Sequence, residues 1–263
     1  MHIIWYGTAS LLLQDENTTI AFDPFCKLPV NAFTDKRGFL PYEQEFRQAF
    51  HIFVTHGHFD HIYHIPYIYE NMSVDLYCTQ APSDTLSKSG FPANSIHLIK
   101  PGDCIKIGAF EISAYQSRHC RFDLPLIKQT VFNKNFWKNP IHTARLLSTH
   151  LHYPEKKEIL FYEIKYNKKR IQILGSMNLA KKVKYPIGAD ILILPLQGRS
   201  DLDTFALDIV KRLKPKSILL DHYDNTFPPL TCDVDISGFM NNLQEQFNIP
   251  CSPLEECKKV TII

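Results

Sequence analysis

Long apolar runs are missing from this chain: none approaches the roughly 20 residues needed to cross a bilayer. A marked excess of one charge is missing too. Lysine and arginine total 29 against 27 aspartates and glutamates, a formal net of +2, which argues against a dedicated nucleic-acid binder. The opening Met1-His2-Ile3-Ile4-Trp5-Tyr6 has no basic region followed by an apolar stretch, so a cytoplasmic location with no membrane partner is expected. No Cys-x-x-Cys pair occurs among the seven cysteines at 26, 78, 104, 120, 232, 251 and 257. An odd number of dispersed cysteines in a chain this long reads as reduced thiols rather than a disulfide framework. What remains is ordinary for a globular enzyme. Hydrophobic residues make up 44% and charged residues 21% of 263 positions, enough for a large core in one α/β domain over 1–263.

The densest chemistry lies in Thr55-His56-Gly57-His58-Phe59-Asp60-His61. His56, His58, Asp60 and His61 put four candidate metal ligands within six residues, directly after the apolar run Ile52-Phe53-Val54, which reads as a buried strand. Crowded imidazoles repel when charged and lose hydration when neutral, so a shared cation is the economical explanation. Gly57 lacks a Cβ and permits a sharp turn that lets the flanking histidines converge, while Asp60 and His61 lead into a helix. A lone histidine is ordinarily a solvated or hydrogen-bonded residue; the spacing distinguishes these four positions.

His-x-His-x-Asp-His after a strand resembles the signature of the metallo-β-lactamase superfamily. The opening His2-Ile3-Ile4-Trp5-Tyr6-Gly7-Thr8-Ala9-Ser10, followed by Ile20-Ala21-Phe22-Asp23-Pro24-Phe25, is similar to the metal-dependent hydrolase branch that includes ascorbate-phosphate lactonases. The resemblance implies an α/β fold, a four-layered αβ/βα sandwich with two sheets face to face and helices outside. The order of strands, turns and helices, read as occurring once before about residue 150 and once after it, agrees with that architecture.

The resemblance also implies a ligand set. His119, 58 residues beyond His61 and after a Pro-Gly-Asp turn, would join His56 and His58 on one ion. His222, after the strand at 217–220, would join Asp60 and His61 on the other. Asp23 would orient ligand histidines from close by. One position departs from the pattern. Most relatives carry an Asp after the glycine at 175, where it bridges two metals, and this chain has Ser176. A neutral hydroxyl is a poor substitute for a carboxylate on a hard divalent cation, so the second site should be weakened.

A metal-dependent hydrolase is therefore expected, with one or two divalent ions per chain. Zinc suits the mixed His and Asp ligands best, with manganese or iron as substitutes. A metal-bound hydroxide would attack a small, anionic ester, lactone or phosphodiester, Asp60 would orient it or relay a proton, and His222 would stabilise developing charge. The alternative is a metal-binding protein whose catalysis is reduced or lost because of Ser176. Arg199, in the turn at 197–199, is a candidate for binding a substrate carboxylate or phosphate, with a solvated turn arginine as the other reading. The polar, aromatic-bearing stretch 26–50 is a candidate wall of the cleft.

Residues 120–157 interrupt the strand pattern. Arg121, Lys128, Lys134, Lys138 and Arg145 face a single acid, Asp123, for a local net of +4, with Phe122, Phe132, Phe136 and Trp137 interleaved. One reading is an insertion that packs its aromatics on the sandwich and exposes its lysines. The other is a lid over the metal cleft that attracts an anionic substrate. His142, His150 and His152 are read as non-ligands. If 119–120 is extended, Cys120 faces away from any site that His119 joins. Strands are predicted at 3–6, 10–13, 19–22, 52–54, 74–78, 97–99, 105–107, 110–115, 159–166, 170–174, 190–194 and 217–220. Helices are predicted at 81–88, 203–213 and 238–247, with a closing strand near Val260.

Overall fold

Short alternating apolar runs build the first sheet in the computed structural model, which describes residues 1–26, 41–138, 140–227 and 231–262 except for the side chains of Asn135, Phe136 and His142. β1 (His2–Trp5), β2 (Leu11–Gln14) and β3 (Thr19–Phe22) form an antiparallel meander with Ile3 opposite Leu13 and Leu12 opposite Ala21. β4 (His51–Phe53), β5 (Asp75–Cys78) and β6 (Ile96–Leu98) continue in parallel. Parallel neighbours need crossovers, and these carry α1 (Glu43–Phe46), α2 (Phe59–Ile62), α3 (Ile65–Ile68) and α4 (Gln80–Lys88). At the other edge β14 (Lys259–Thr261) pairs with β1.

The second sheet runs, in spatial order, β13 (Cys251–Pro253), β12 (Ile218–Asp221), β11 (Ile191–Pro195), β10 (Lys169–Leu174), β9 (Leu160–Tyr166), β8 (Phe110–Gln116) and β7 (Cys104–Ile107). Its parallel crossovers are α8 (Leu202–Leu213) and α9 (Ser237–Phe247). Between the sheets, Ile3, Phe22 and Phe53 pack with Phe110, Tyr162 and Ile171. The outer faces carry the helices: Ile52 and Leu76 meet Phe46, Ile62 and Leu86, and Leu192 and Leu220 meet Val210 and Phe239. The result is the αβ/βα sandwich, two mixed sheets with helices flanking both.

The sheets divide between Leu98 and Cys104, not near residue 150. β7 and β8 belong to the second sheet because β8 pairs with β9, Ile112 opposite Ile164, on the far side of the insertion. β13 and the four-residue helices α1 and α3 were not anticipated; segments of three or four residues are too short to show a period. All seven cysteines are free thiols. Of the stretch 26–50, residues 27–40 lie outside the described residues, so its place at the cleft is not described.

The insertion folds as α5 (Leu124–Phe132), α6 (Lys134–Lys138) and α7 (Pro140–His152). Its described aromatics are largely exposed rather than packed on the sandwich. Phe122, Phe132 and Trp137 are 58%, 81% and 66% exposed, while the Phe136 side chain lies outside the described residues. α5 turns Leu126 and Thr130 inward, so its more apolar stripe faces out.

Candidate metal centre

Parallel strands carry their loops at their carboxyl ends, and the two sheets bring such ends together. β4 runs into Thr55 and His56, α2 supplies Asp60 and His61, β8 leads to His119, and His222 follows β12 directly. His56, His58 and His119 each offer a donor atom within 4.8 Å of the others, and so do Asp60, His61 and His222. In the first triad His56 Nε2 lies 3.1 Å from His58 Nδ1. In the second, Asp60 Oδ2 lies 3.4 Å from His222 Nε2 and 3.8 Å from His61 Nε2. The triads adjoin, with the His56 and His61 ring centres 3.9 Å apart.

Hydrogen bonds at the back of the rings set which nitrogen faces the centre. The buried Asp23 carboxylate accepts from the Thr55 amide at 2.7 Å, the Thr55 hydroxyl at 2.5 Å and His61 Nδ1 at 2.8 Å. The Thr55 hydroxyl gives its hydrogen to Asp23, so His56 Nδ1, 3.1 Å away, is the donor in their contact. His119 Nδ1 donates to the Cys120 carbonyl at 2.5 Å. In these three rings Nε2 carries the lone pair, the tautomer a metal requires, that of His56 facing His58 Nδ1 at 3.1 Å. Thr8, Asp23 and His222 have φ of 49°, 45° and 52°, strained values for non-glycine residues and concentrated at this one place. His222 is held there by its amide bond to the Thr8 carbonyl at 3.0 Å, and the Thr8 amide is held by Asp224 at 3.0 Å.

Burial keeps the first triad neutral. Desolvation pushes His56 well below the ordinary histidine value, His58 down to about 3 and His119 also downward, with neighbouring imidazoles adding to the effect. Burial would raise Asp60, but His61 and His222 hold its carboxyl far below the usual range. Burial would lower His222, but its contact with Asp60 outweighs that and raises it. Beside it, burial drives Asp221 up to about 8. His222 Nδ1 and both Asp221 oxygens are buried without a hydrogen-bond partner. Neutral imidazoles and one ionised carboxylate fit a divalent cation with nitrogen and oxygen ligands.

Ser176 belongs to neither triad among the described residues. Its hydroxyl accepts the Cys120 amide at 2.9 Å, and Asn178 donates to the His119 carbonyl at 3.0 Å, so this loop secures the backbone that carries His119. Cys120 points away from the site into the core of the second sheet, although 119–120 is loop rather than strand. Arg199 is engaged by its neighbours in this structure. It clamps Asp201 through two bonds of 2.5 and 2.7 Å and lies 4.4 Å over the Phe205 ring, an intraloop pairing.

Gly57 is required for a reason other than turning: a Cβ there would fall 2.7 Å from the Pro154 carbonyl oxygen. Sequence reasoning gave Thr55 no role, and its place at the head of the motif was the only signal. It also passed over the position of His150, whose ring centre lies 4.8 Å from that of His58. His152 bonds only its own helix, at the Ser148 carbonyl, and the His142 side chain lies outside the described residues.

A family model described as the beta-lactamase superfamily domain matches residues 2–222. The UPF0173 metal-dependent hydrolase of Methanocaldococcus jannaschii is 23% identical over 243 residues, 92% of each chain. Among solved structures, Igni18, a metallo hydrolase from Ignicoccus hospitalis, gives a TM-score of 0.65 at 17% identity, over 100% of this chain and 98% of that one. Zinc-bound PqqB from Methylobacterium extorquens gives 0.63 at 12% identity, over 100% of both chains. At these identities the solved structures speak for the fold.

Proposed function

This chain belongs to the beta-lactamase superfamily, and from that membership and its adjoining triads we propose that it is a metal-dependent hydrolase of a small-molecule substrate. The observation that carries the reading is the pairing of His56, His58 and His119 with Asp60, His61 and His222, the donor atoms of each set lying within 4.8 Å of one another. Each triad would hold one ion, zinc first, with manganese or iron compatible with the same donors. When bound, such ions supply Lewis acidity, lowering the pKa of water from about 15.7 to about 7 and polarising the attacked carbonyl or phosphoryl group. The names of the Methanocaldococcus jannaschii relative and of Igni18 support the same reaction type.

The chain's own residues then have distinct tasks. Asp23, through its bond to His61 Nδ1 at 2.8 Å, keeps that ring aimed at the centre. Asp60, held ionised, orients the attacking water, and His222, with Nε2 3.4 Å from Asp60 Oδ2, is placed to stabilise charge that develops there. The net of +4 across 121–152 favours an anionic ester, lactone or phosphodiester. In this reading residues 1–263 form one domain and the insertion, whose His150 touches His58, serves as a lid at the entrance.

Ser176 favours a second reading for one half of the site. With its hydroxyl engaged by Cys120, the second ion rests on Asp60, His61 and His222 alone and is held more weakly, which at the limit leaves a metal-binding protein with little catalysis. Elemental analysis of protein purified without chelator, joined to turnover of generic ester and bis-phosphodiester substrates, tests both. Two metal equivalents with turnover support the dinuclear hydrolase. One equivalent without turnover supports the weakened site, and no metal under any loading overturns the proposal. Charge reversal at Lys134 and Lys138 should raise the Michaelis constant for an anionic substrate; an unchanged constant removes the lid from the reading.

A further inference from the structure

Twelve large apolar side chains are exposed among the described residues, and nine of them lie within 122–151. Their arrangement is helical rather than scattered. On α5, Leu124, Ile127 and Val131 share a stripe and are 72%, 45% and 39% exposed, while Leu126 and Thr130 occupy the inward side. Phe132 and, at the end of α7, Leu151 add two side chains that are 81% and 80% exposed. An apolar surface of this extent, concentrated on one segment, marks a docking surface.

Charge identifies the partner. From 124 to 152 the chain carries Lys128, Lys134, Lys138 and Arg145 and no aspartate or glutamate. A second copy docked across a two-fold axis would set these cations against themselves with no carboxylate to pair them. An anionic lipid surface complements both properties at once, accepting apolar side chains below its headgroups and attracting lysines at them. Trp137 suits that depth: its ring is 66% exposed and its indole N–H is already donated to the Val131 carbonyl at 2.6 Å. No helix among the described residues is long and apolar enough to cross a membrane, so the segment would lie in the interface plane.

We propose that α5 to α7 dock this protein onto the surface of an anionic lipid bilayer. This departs from the expectation of no membrane partner, which rested on the lack of a spanning segment and did not consider a helical surface. It stands apart from the metal chemistry and needs no bound ion. Because His150 lies against His58, α7 adjoins the candidate metal centre.

The test is flotation of the full chain with phosphatidylcholine vesicles, with and without phosphatidylglycerol, read together with tryptophan emission. The two tryptophans make the reading specific, since Trp5 is 3% and Trp137 66% exposed. Flotation with the anionic vesicles only, weakening as salt rises, and a blue shift lost in Trp137→Phe are expected. Each of Lys128→Glu, Lys134→Glu and Lys138→Glu should weaken binding about fivefold or more, and Leu124→Ser with Leu151→Ser should abolish the blue shift without moving the melting temperature. No flotation on anionic vesicles at low salt overturns the proposal. So does binding that survives the triple charge reversal, or a dimer in sedimentation velocity that Leu124→Ser with Leu151→Ser dissociates, which would assign the face to a second copy.

Discussion

In the candidate metal centre Asp23, His56 and His61 are 1%, 1% and 2% exposed, whereas in the insertion Phe132 and Leu151 are 81% and 80% exposed. The two regions invert the usual partition of polar and apolar groups in opposite directions. Burying several imidazoles beside a carboxylate is tolerated because three of the rings, His61, His56 and His119, are bonded at their backs by Asp23, Thr55 and the Cys120 carbonyl. Exposing leucine and phenylalanine is tolerated because no packing depends on them. In the proposed reading a cation would complete the first arrangement and an anionic lipid surface the second. Single substitutions should therefore be felt strongly in one region and barely in the other.

The largest difference is expected at the ligands. His58→Ala should cost metal affinity and turnover more than the roughly hundredfold that loss of an outer partner causes, with folding retained by circular dichroism. Equal metal content in wild type and variant would break the comparison. Acid should act next. Burial lowers His56, His58 and His119, so below their unfolded value of about 6.5 the unfolded chain binds more protons than the folded one. Stability of the metal-free protein should then fall by about 1.4 kcal/mol per pH unit for each histidine, for His58 across the window from 6.5 to about 3. His222 has the opposite sign: its raised value gives a contribution that is full below about 6.5 and lost as pH rises through its folded value. Denaturant titrations between neutral pH and about pH 5 measure the slope, and a flat profile would show that the buried histidines are not what sets stability there.

Smaller effects sharpen the contrast. Asp23→Asn removes the acceptor for His61 Nδ1–H, and metal affinity should drop by roughly 10- to 100-fold, measured by chelator competition. Gly57→Ala must displace the Pro154 carbonyl, 2.7 Å from the new Cβ. It should destabilise by about 1–3 kcal/mol in chemical denaturation. Phe132→Ser and Leu151→Ser, by comparison, should leave stability within about 0.5 kcal/mol of wild type. A larger loss would mean that the insertion packs in solution against something other than water.

Much of the candidate site was legible because its residues are close in sequence or stand at strand ends. The motif from His56 to His61 declares itself by spacing, and the hairpin before His119 and the apolar strand before His222 mark where those histidines emerge. Three features were not legible. That β7 and β8 join the second sheet depends on pairing with β9 beyond the insertion, and alternation of apolar residues is the same in either sheet. Ser176 read as a failed ligand, yet its hydroxyl holds the Cys120 amide, a partner 56 positions away. Arg199 read as either a partner for a substrate anion or a solvated turn arginine, because its clamp on Asp201 is a rotamer choice that composition does not encode.

The sequence by itself determined the kinds of elements and the chemistry available. Period and turn residues specify strands and helices locally, and His-x-His-x-Asp-His carries its donors within two turns of chain. Only the tertiary structure decided which sheet each hairpin entered, which nitrogen of each ring faced the centre, and which face of α5 met solvent. Those outcomes depend on groups far apart in the chain, Asp23 with His61, Thr8 with Asp224, Gly57 with Pro154. Their mutual distances are set by the packing of two sheets and by no local preference.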